Sequence, residues 1–267
     1  AVGAFAIGTT EFSPMGFLPE IANDLSVSIP QAGLLISAYA VGVMIGAPLM
    51  TLWLARFPKK TALILLMAIF TIGNVLATVA PDYMSLMGAR LITSLNHGAF
   101  FGLGSVVAAS VVPKDKQASA VAMMFMGLTI ANIGGVPLAT WLSQNTSWRM
   151  AFAAISILGI MTMLALWKAL PQDHDVVKPN VAKELRVLTR APVVLALLTT
   201  VMSAGDMFVL YTYLAPSLHV FMQASPQTIT LMLVLIGIGF SIGNHLGGKF
   251  ADLSLEKTLI GFLILLM

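Results

Sequence analysis

Long apolar runs separated by short polar segments form the dominant pattern of the chain. Nine runs are present, at about 1–19, 31–54, 61–80, 83–112, 117–143, 149–168, 192–215, 226–248 and 257–267. A helix needs roughly 20 apolar residues to cross the hydrocarbon core, so the last run is too short to span. Strands of a membrane barrel alternate apolar and polar residues, whereas runs such as 63–72 and 231–242 are apolar on every side. The pattern predicts an all-α integral membrane protein.

The composition excludes the main soluble classes. Of 267 residues, 58% are hydrophobic and 9% are charged, whereas a typical soluble domain carries about a quarter charged residues. The 14 basic and 11 acidic side chains are too few to cover a soluble enzyme or nucleic-acid binder. Cysteine is absent, which excludes thiolate metal sites. We expect neither a metal site nor a nucleic-acid partner. Because the first run opens without Met and the last is short, we expect the chain to be truncated at both ends.

Lys and Arg residues gather in alternate connections between the runs. If the first helix starts in the cytoplasm, the connections on that side hold 12 of the 14 basic residues. The opposite connections hold Arg149 together with Glu20, Asp24 and Asp82. Short cytoplasmic loops carry an excess of Lys and Arg, so the pattern predicts a multi-pass protein with a cytoplasmic N-terminus.

An internal repeat divides the chain. The segment 42–49 in the second run parallels 239–246 in the eighth, and the acid Glu11 in the first run has a counterpart, Asp206, in the seventh. Repeats of equal orientation describe transporters built from two bundles around a central path. The pattern predicts two pseudo-repeated halves, of which the second is incomplete. The predicted parts are an N-terminal six-helix bundle at 1–168, a cytoplasmic connector at 169–191 and the start of a C-terminal bundle at 192–267.

Ionisable residues inside the predicted spans are the candidates for function. Glu11, Arg90 and Asp206 qualify, and such residues usually face a cavity because a charge at the bilayer centre costs about 2.5–3.5 kcal/mol. At 100° per residue, His97 shares a helix face with Arg90. We predict that Glu11, Asp206 and His97 take part in proton coupling. Two alternatives stay open: Arg90 snorkels to the headgroups, or His97 only makes structural hydrogen bonds. The predicted lining of a substrate cavity is Arg90, Ser94, Asn96, Phe101, Asn132 and Tyr211.

Small residues in the fifth run predict close helix packing. Gly127, Gly134 and Gly135 allow a neighbouring helix to approach. Pro137 weakens the local hydrogen-bond ladder, so the same run is expected to bend.

Motifs along the whole chain resemble those of the major facilitator superfamily. They are the basic Gly-containing loop at 46–60, Arg90 with the segment 94–102, the antiporter-like segment 127–138, and Trp148 with Arg149. The segments 11–19 and 96–102 narrow the resemblance to the bacterial drug–proton antiporter and sugar-efflux (arabinose-type) branch. The first loop departs from the family pattern, with Ala55 where Asp is usual and Pro58 where Gly is usual.

The resemblance implies a major-facilitator-type helical bundle in a bacterial inner membrane. It further implies proton-coupled efflux of sugars or drug-like compounds by alternating access, driven by the proton gradient without a cofactor. The expected partners of the monomer are the lipid bilayer, protons and a small-molecule substrate. Two loops would form a cytoplasmic gate, with the residues Arg56, Lys59, Lys60, Gly248 and Asp252.

Other functions remain open at this level. The chain contains no His-Glu-x-x-His metal motif, and an enzyme is not predicted. Uniport or sugar–proton symport is an alternative, because the fold does not decide the direction of transport. A non-transporting membrane sensor on the same fold is a third interpretation, and the membrane acids Glu11 and Asp206 argue against it.

Overall fold

The computed structural model describes residues 1–170 and 189–266, in which the regular elements are all helical. The predicted all-α class is confirmed. Of the predicted connector, residues 171–188 lie outside the described residues. In chain order the α-helices are α1 (Val2–Gly16), α2 (Leu18–Asp24), α3 (Ile29–Leu54), α4 (Lys59–Thr78), α5 (Tyr83–Ser94), α6 (His97–Ser110), α7 (Gln117–Ile130), α8 (Val136–Asn145), α9 (Trp148–Ala169), α10 (Ala191–Met222), α11 (Pro226–Leu253) and α12 (Leu255–Leu266).

Seven helical segments of the described chain are long and apolar enough to cross a membrane, and they coincide with the second to eighth apolar runs. The first run differs because it is divided at Phe17 into α1 and α2. Pro19 lies in the first turn of α2, where it has no N–H to donate to the carbonyl four residues earlier. The last helix, α12, has 12 residues and is too short to span, as predicted.

The connections lie at two ends of the bundle, because consecutive spans run in opposite directions. Residues 25–28, 79–82, 146–147 and 223–225 form what we call the Asp24 end, and residues 55–58 and 111–116 form the Lys59 end. Capping boxes define helix starts at the Asp24 end. The side chain of Ser28 caps α3 together with Gln31, and Asp82 caps α5 together with Ser85. These bonds satisfy backbone N–H groups that a helix start leaves free.

The buried apolar residues form two clusters. One lies within the first predicted half and includes Leu63 of α4 and Phe152 of α9. The other joins Phe12 of α1 to Tyr211 of α10 and Leu233 of α11. The second cluster therefore contains residues from both predicted halves. It packs α10 and α11 against the first bundle.

A π-helical turn, Ala131–Gly135, joins α7 to α8. It determines which glycines of this segment pack against α1. A Cβ at Gly127 would lie 2.9 Å from the backbone nitrogen of Phe5, and one at Gly135 would lie 3.2 Å from the Phe5 ring. Gly134 is exposed, and a Cβ there would meet no atom within 4 Å. The wider π turn moves the packing face by one position relative to an ideal helix. Gly135, rather than Gly134, therefore meets α1.

Candidate functional site

Glu11 and His97 face each other inside the bundle. The carboxylate Oε2 of Glu11 lies 3.9 Å from Nε2 of His97, and each side chain is only 15% exposed. Glu11 comes from α1, and His97 is the first residue of α6, where the helix restarts after Leu95 and Asn96. The structure thus brings together two of the three residues predicted for proton coupling.

Tyr39 contacts the other ring nitrogen of His97. The hydroxyl of Tyr39, on α3, lies 3.1 Å from Nδ1 of His97, and the two rings pack edge to face at 5.9 Å. In a neutral imidazole one nitrogen donates and the other accepts. The contact with Tyr39 therefore orients Nε2 toward Glu11 and influences which nitrogen carries the hydrogen. The sequence pattern does not single out Tyr39, although a tyrosine within an apolar run is the signal that could have found it.

Arg90 lies in the interior of the bundle and does not snorkel to the headgroups. Its side chain is 1% exposed, and the guanidinium carbon lies 4.2 Å from the centroid of the Tyr39 ring. Arg90 NH1 donates a hydrogen bond of 2.9 Å to the backbone carbonyl of Thr10. A cation over an aromatic face is attracted by the ring quadrupole, so Tyr39 contacts both His97 and Arg90.

A proline explains why the Thr10 carbonyl is available to Arg90. In an α-helix the carbonyl of residue 10 accepts from the N–H of residue 14, but residue 14 is Pro14, inside α1, and a proline has no N–H. Arg90 satisfies the freed carbonyl from α5. This bond ties the guanidinium to the turn of α1 that carries Glu11, next to Thr10.

Asn74 links the same turn to α4. The hydroxyl of Thr10 donates to Oδ1 of Asn74 at 2.7 Å, and Nδ2 of Asn74 donates to the carbonyl of Phe70 at 2.9 Å. Asn74 is fully buried, so its amide is an anchor for α1 inside the first bundle. The apolar pattern does not single out Asn74, although a lone Asn in the third apolar run is a signal that could have found it.

Two residues predicted for the cavity instead pack at the helix break. Ser94 is buried and donates to the carbonyl of Leu91 at 2.7 Å. A Cβ at Gly42 would overlap the Ser94 hydroxyl, so Ser94 lies directly against α3. Asn96 is also buried, and its amide donates to the carbonyl of Thr93.

Aromatic and amide groups extend from the Glu11–His97 pair toward other helices. Phe101 has its ring centroid 5.1 Å from that of His97 and stacks on Phe125 at 5.2 Å. Tyr211 of α10 packs 5.6 Å from Phe12, the residue after Glu11. Among the described residues, the Tyr211 hydroxyl has no hydrogen-bond partner.

Asn132 offers a further free acceptor in the π turn. Its Nδ2 donates to the carbonyl of Leu128 at 3.1 Å, while its buried Oδ1 has no hydrogen-bond partner in the described chain.

Asp206 is not part of this cluster in the described arrangement. It is exposed on α10, and within residues 1–170 and 189–266 no ion pair joins it to Glu11 or Arg90. Its predicted role in proton coupling stays a prediction.

The predicted cytoplasmic gate residues lie at the Lys59 end. Arg56 donates from Nε to the carbonyl of Trp53 at 2.9 Å and covers the Trp53 ring. Lys60 donates to the carbonyl of Leu170 at 2.6 Å, whereas Lys59 begins α4. Gly248 and Asp252 lie in the last turns of α11. The gating role of these residues stays a prediction.

Two short patterns in α11 resemble enzyme motifs but lie in the wrong structural context. Gly239-x-Ser241-x-Gly243 has the spacing of a nucleophile elbow, and the segment 243–249 has the spacing of a phosphate loop without its final Ser or Thr. Both patterns need a turn from a strand into a helix. Both lie inside the continuous helix α11, where the Ser241 hydroxyl donates to the Gly237 carbonyl at 2.9 Å. The strand-to-helix turn that each motif requires is therefore not present at these positions.

A second polar network lies at the Asp24 end. Arg149 NH1 lies 2.5 Å from Oδ2 of Asp24, and Trp148 donates to the same oxygen at 3.0 Å. Arg149 NH2 also donates to the carbonyl of Ala80 at 2.9 Å. The network joins α2 and α9 to the loop before α5. The hydrogen bond from Arg149 lowers the pKa of the Asp24 carboxyl below its usual value.

We expect Asp24→Asn to lower the stability of the folded protein at neutral pH but not at acidic pH. A carboxyl whose pKa is depressed in the folded state stabilises the fold above its unfolded pKa of about 3.9, and this stabilisation is lost as pH falls through the folded pKa. Asp24 and Arg149 are partly exposed, so the effect is about 1 kcal/mol or less. Thermal unfolding in detergent at pH 7 and pH 3 measures it. An equal difference between parent and variant at both pH values would contradict the ion-pair explanation.

The fold is a multi-span helical bundle with a buried charged cluster, which is the class of a polytopic membrane transport protein. Residues 1–267 match the model of the Major Facilitator Superfamily. The chain belongs to this family. It is 66% identical over 267 residues to the inner membrane transport protein YdhP of Escherichia coli, covering all of this chain and 69% of YdhP. It is also 30% identical over 256 residues to the chloramphenicol resistance protein of Streptomyces lividans, covering 94% of this chain and 65% of that protein.

Solved structures show the same fold. The bacterial homologue of the human lysosomal transporter Spinster, in an inward-facing and occupied conformation, matches with a TM-score of 0.76 at 18% identity. The match covers 94% of this chain and 60% of that structure. The resemblance predicted from the motifs is therefore confirmed at the level of the family and the fold, and the protein is a multi-pass membrane protein.

Proposed function

We propose that the protein is a secondary active transporter that exports small molecules in exchange for protons. The observation that carries this proposal is the buried cluster of Glu11, His97, Tyr39 and Arg90, in which a carboxyl and an imidazole lie within 3.9 Å of each other. Ionisable groups at this depth are costly and usually serve transport. Membership of the family and the name of YdhP support transport, and the name of the chloramphenicol resistance protein supports an exported drug-like compound. The resemblance of the segments 11–19 and 96–102 to the sugar-efflux branch makes a sugar the alternative substrate.

In the proposed mechanism Glu11 carries the proton. Its carboxylate form is attracted to the permanent positive charge of Arg90, whereas its protonated form has no net charge for that attraction. Arg90 is held in place by the Thr10 carbonyl, so taking up or losing a proton changes the charge balance around a fixed cation. One charge that moves through 100 mV supplies about 2.3 kcal/mol, which sustains roughly a fifty-fold substrate gradient.

The two predicted halves would alternate access around this cluster. The shared core of Phe12, Tyr211 and Leu233 and the hydrogen bond between Thr230 and Gln144 hold helices of the two halves together toward the Asp24 end. The basic connections favour a cytoplasmic Lys59 end in a bacterial inner membrane. With that orientation these contacts would restrict access from the outer side, and Glu11 would exchange its proton with the cytoplasm.

Proton flux in liposomes tests this function. The full-length protein is reconstituted with a trapped pH-sensitive dye, and a panel of sugars, chloramphenicol and lipophilic cations is added without an imposed gradient. We expect at least one compound to drive proton movement in the opposite direction to its own. Substrate exchange without proton movement would establish uniport, co-directional movement would establish symport, and binding without flux would establish a sensor. Each of these results would replace the exchange mechanism.

A further inference from the structure

A cavity lies at the Asp24 end, and Glu11 is not part of its lining. It has a volume of about 420 Å³ and includes Gly16, Glu20, Asn23, Gln144, His219 and Ile229 in its lining. We call it the Glu20 cavity. Its size is within the range of about 300–1,000 Å³ that small-molecule sites occupy. Its lining comes from α1, α2 and α8 on one side and from α10 and α11 on the other, so both predicted halves contribute.

The Glu20 cavity has polar residues at its rim and apolar residues at its base. Gly16 and Ile229 are buried, and so is Ala215 beside them, whereas Asn23 and His219 are exposed at the rim. The cavity therefore opens to water at one side and offers a small apolar surface at the other. A ligand with one polar head and a compact apolar body matches such a shape.

Glu20 supplies an unused acceptor to this cavity. Its Oε2 is buried and has no hydrogen-bond partner among the described residues. The other acids at the Asp24 end are engaged, because Asp24 pairs with Arg149 and Asp82 caps α5. A buried carboxylate oxygen without a donor is costly, and a charged donor satisfies it best.

We propose that the Glu20 cavity binds a small monovalent organic cation, such as a protonated primary amine with a compact apolar group. The ammonium donates to Glu20, the Asn23 amide and the His219 imidazole offer further polar contacts, and the apolar body covers Ile229. A ligand held by both predicted halves favours the arrangement in which they meet at this end. The site therefore stabilises the protein closed at the Asp24 end. The proposal rests on the cavity and not on proton coupling.

Calorimetric titration of the purified full-length protein in detergent tests this site without a proton gradient. The probe is benzylamine, and benzyl alcohol is the uncharged analogue of similar shape. We expect benzylamine to bind with millimolar affinity, Glu20→Gln to weaken that binding at least tenfold, and benzyl alcohol to bind at least tenfold more weakly than benzylamine. Titration into protein-free micelles corrects for partitioning.

A control variant separates the site from general charge. Glu256→Gln removes an exposed carboxyl at the start of α12 and is expected to leave benzylamine binding unchanged. The proposal is overturned if the parent protein does not bind benzylamine, or if Glu20→Gln binds it within twofold of the parent.

Discussion

Glu11→Gln is expected to abolish proton-driven efflux by the full-length protein. The amide has the shape of the protonated carboxyl but cannot release a proton, so the cluster is fixed in one charge state. In liposomes with a potential of 100 mV, the substrate gradient should fall from as much as fifty-fold to none. Exchange of labelled for unlabelled substrate across the membrane should continue, because it requires no net proton transfer. The measurements are substrate accumulation under a gradient and exchange without one.

The exchange assay distinguishes loss of proton coupling from a folding defect. A misfolded variant would lose both activities, whereas an uncoupled variant loses only accumulation. Glu256→Gln, which removes an exposed carboxyl, serves as the matched control and should retain both. Accumulation by Glu11→Gln within twofold of the parent would remove Glu11 from the proton path.

Arg90→Ala is expected to reduce efflux by about two orders of magnitude, and Arg90→Lys by about tenfold. The Ala variant leaves the Thr10 carbonyl without a donor, and a hydrogen bond to a charged group contributes about 1.5–3 kcal/mol. Lysine keeps the charge but, as a compact ammonium, does not reproduce a planar group that both donates to Thr10 and stacks on Tyr39. Initial rates of efflux and thermal stability in detergent are the measurements.

A double-mutant cycle with Pro14 tests the structural cause. Pro14→Ala restores an N–H that can donate to the Thr10 carbonyl within α1. We therefore expect the stability lost in Arg90→Ala to be smaller in the Pro14→Ala background, by about 1–2 kcal/mol. Arg149→Lys, which alters the network at the Asp24 end, should show no coupling to Pro14→Ala. Strict additivity of Arg90→Ala and Pro14→Ala would mean that the freed carbonyl is not what Arg90 stabilises.

The apolar pattern predicts most of the fold because membrane helices are defined by length and hydrophobicity. Seven of the predicted spans match the described helices, and most of their ends agree within a few residues. The interruption at Phe17 escapes the pattern, since both sides of it are apolar. It follows from Pro19, whose effect is local and independent of the hydrophobic average.

The candidate site is only partly predictable from the sequence, because some of its residues act through contacts between distant segments. Glu11, Arg90 and His97 are conspicuous because each brings a costly group into the bilayer. Tyr39 and Asn74 are identified only when α3 and α4 are placed beside α1, since their roles depend on contacts between distant segments. The position of Asp206 also depends on packing that its sequence neighbours do not specify, and the structure leaves it exposed on α10.

Gly237 lies where α11 contacts the π turn, at the interface between the two predicted halves. A Cβ there would lie 2.8 Å from Cα of Ile133, so α11 rests on the bare main chain of the π turn. In the proposed alternating access, no side chain of residue 237 would have to change rotamer when these surfaces part. A larger residue at position 237 would collide with the main chain of the π turn and hold α11 away from it.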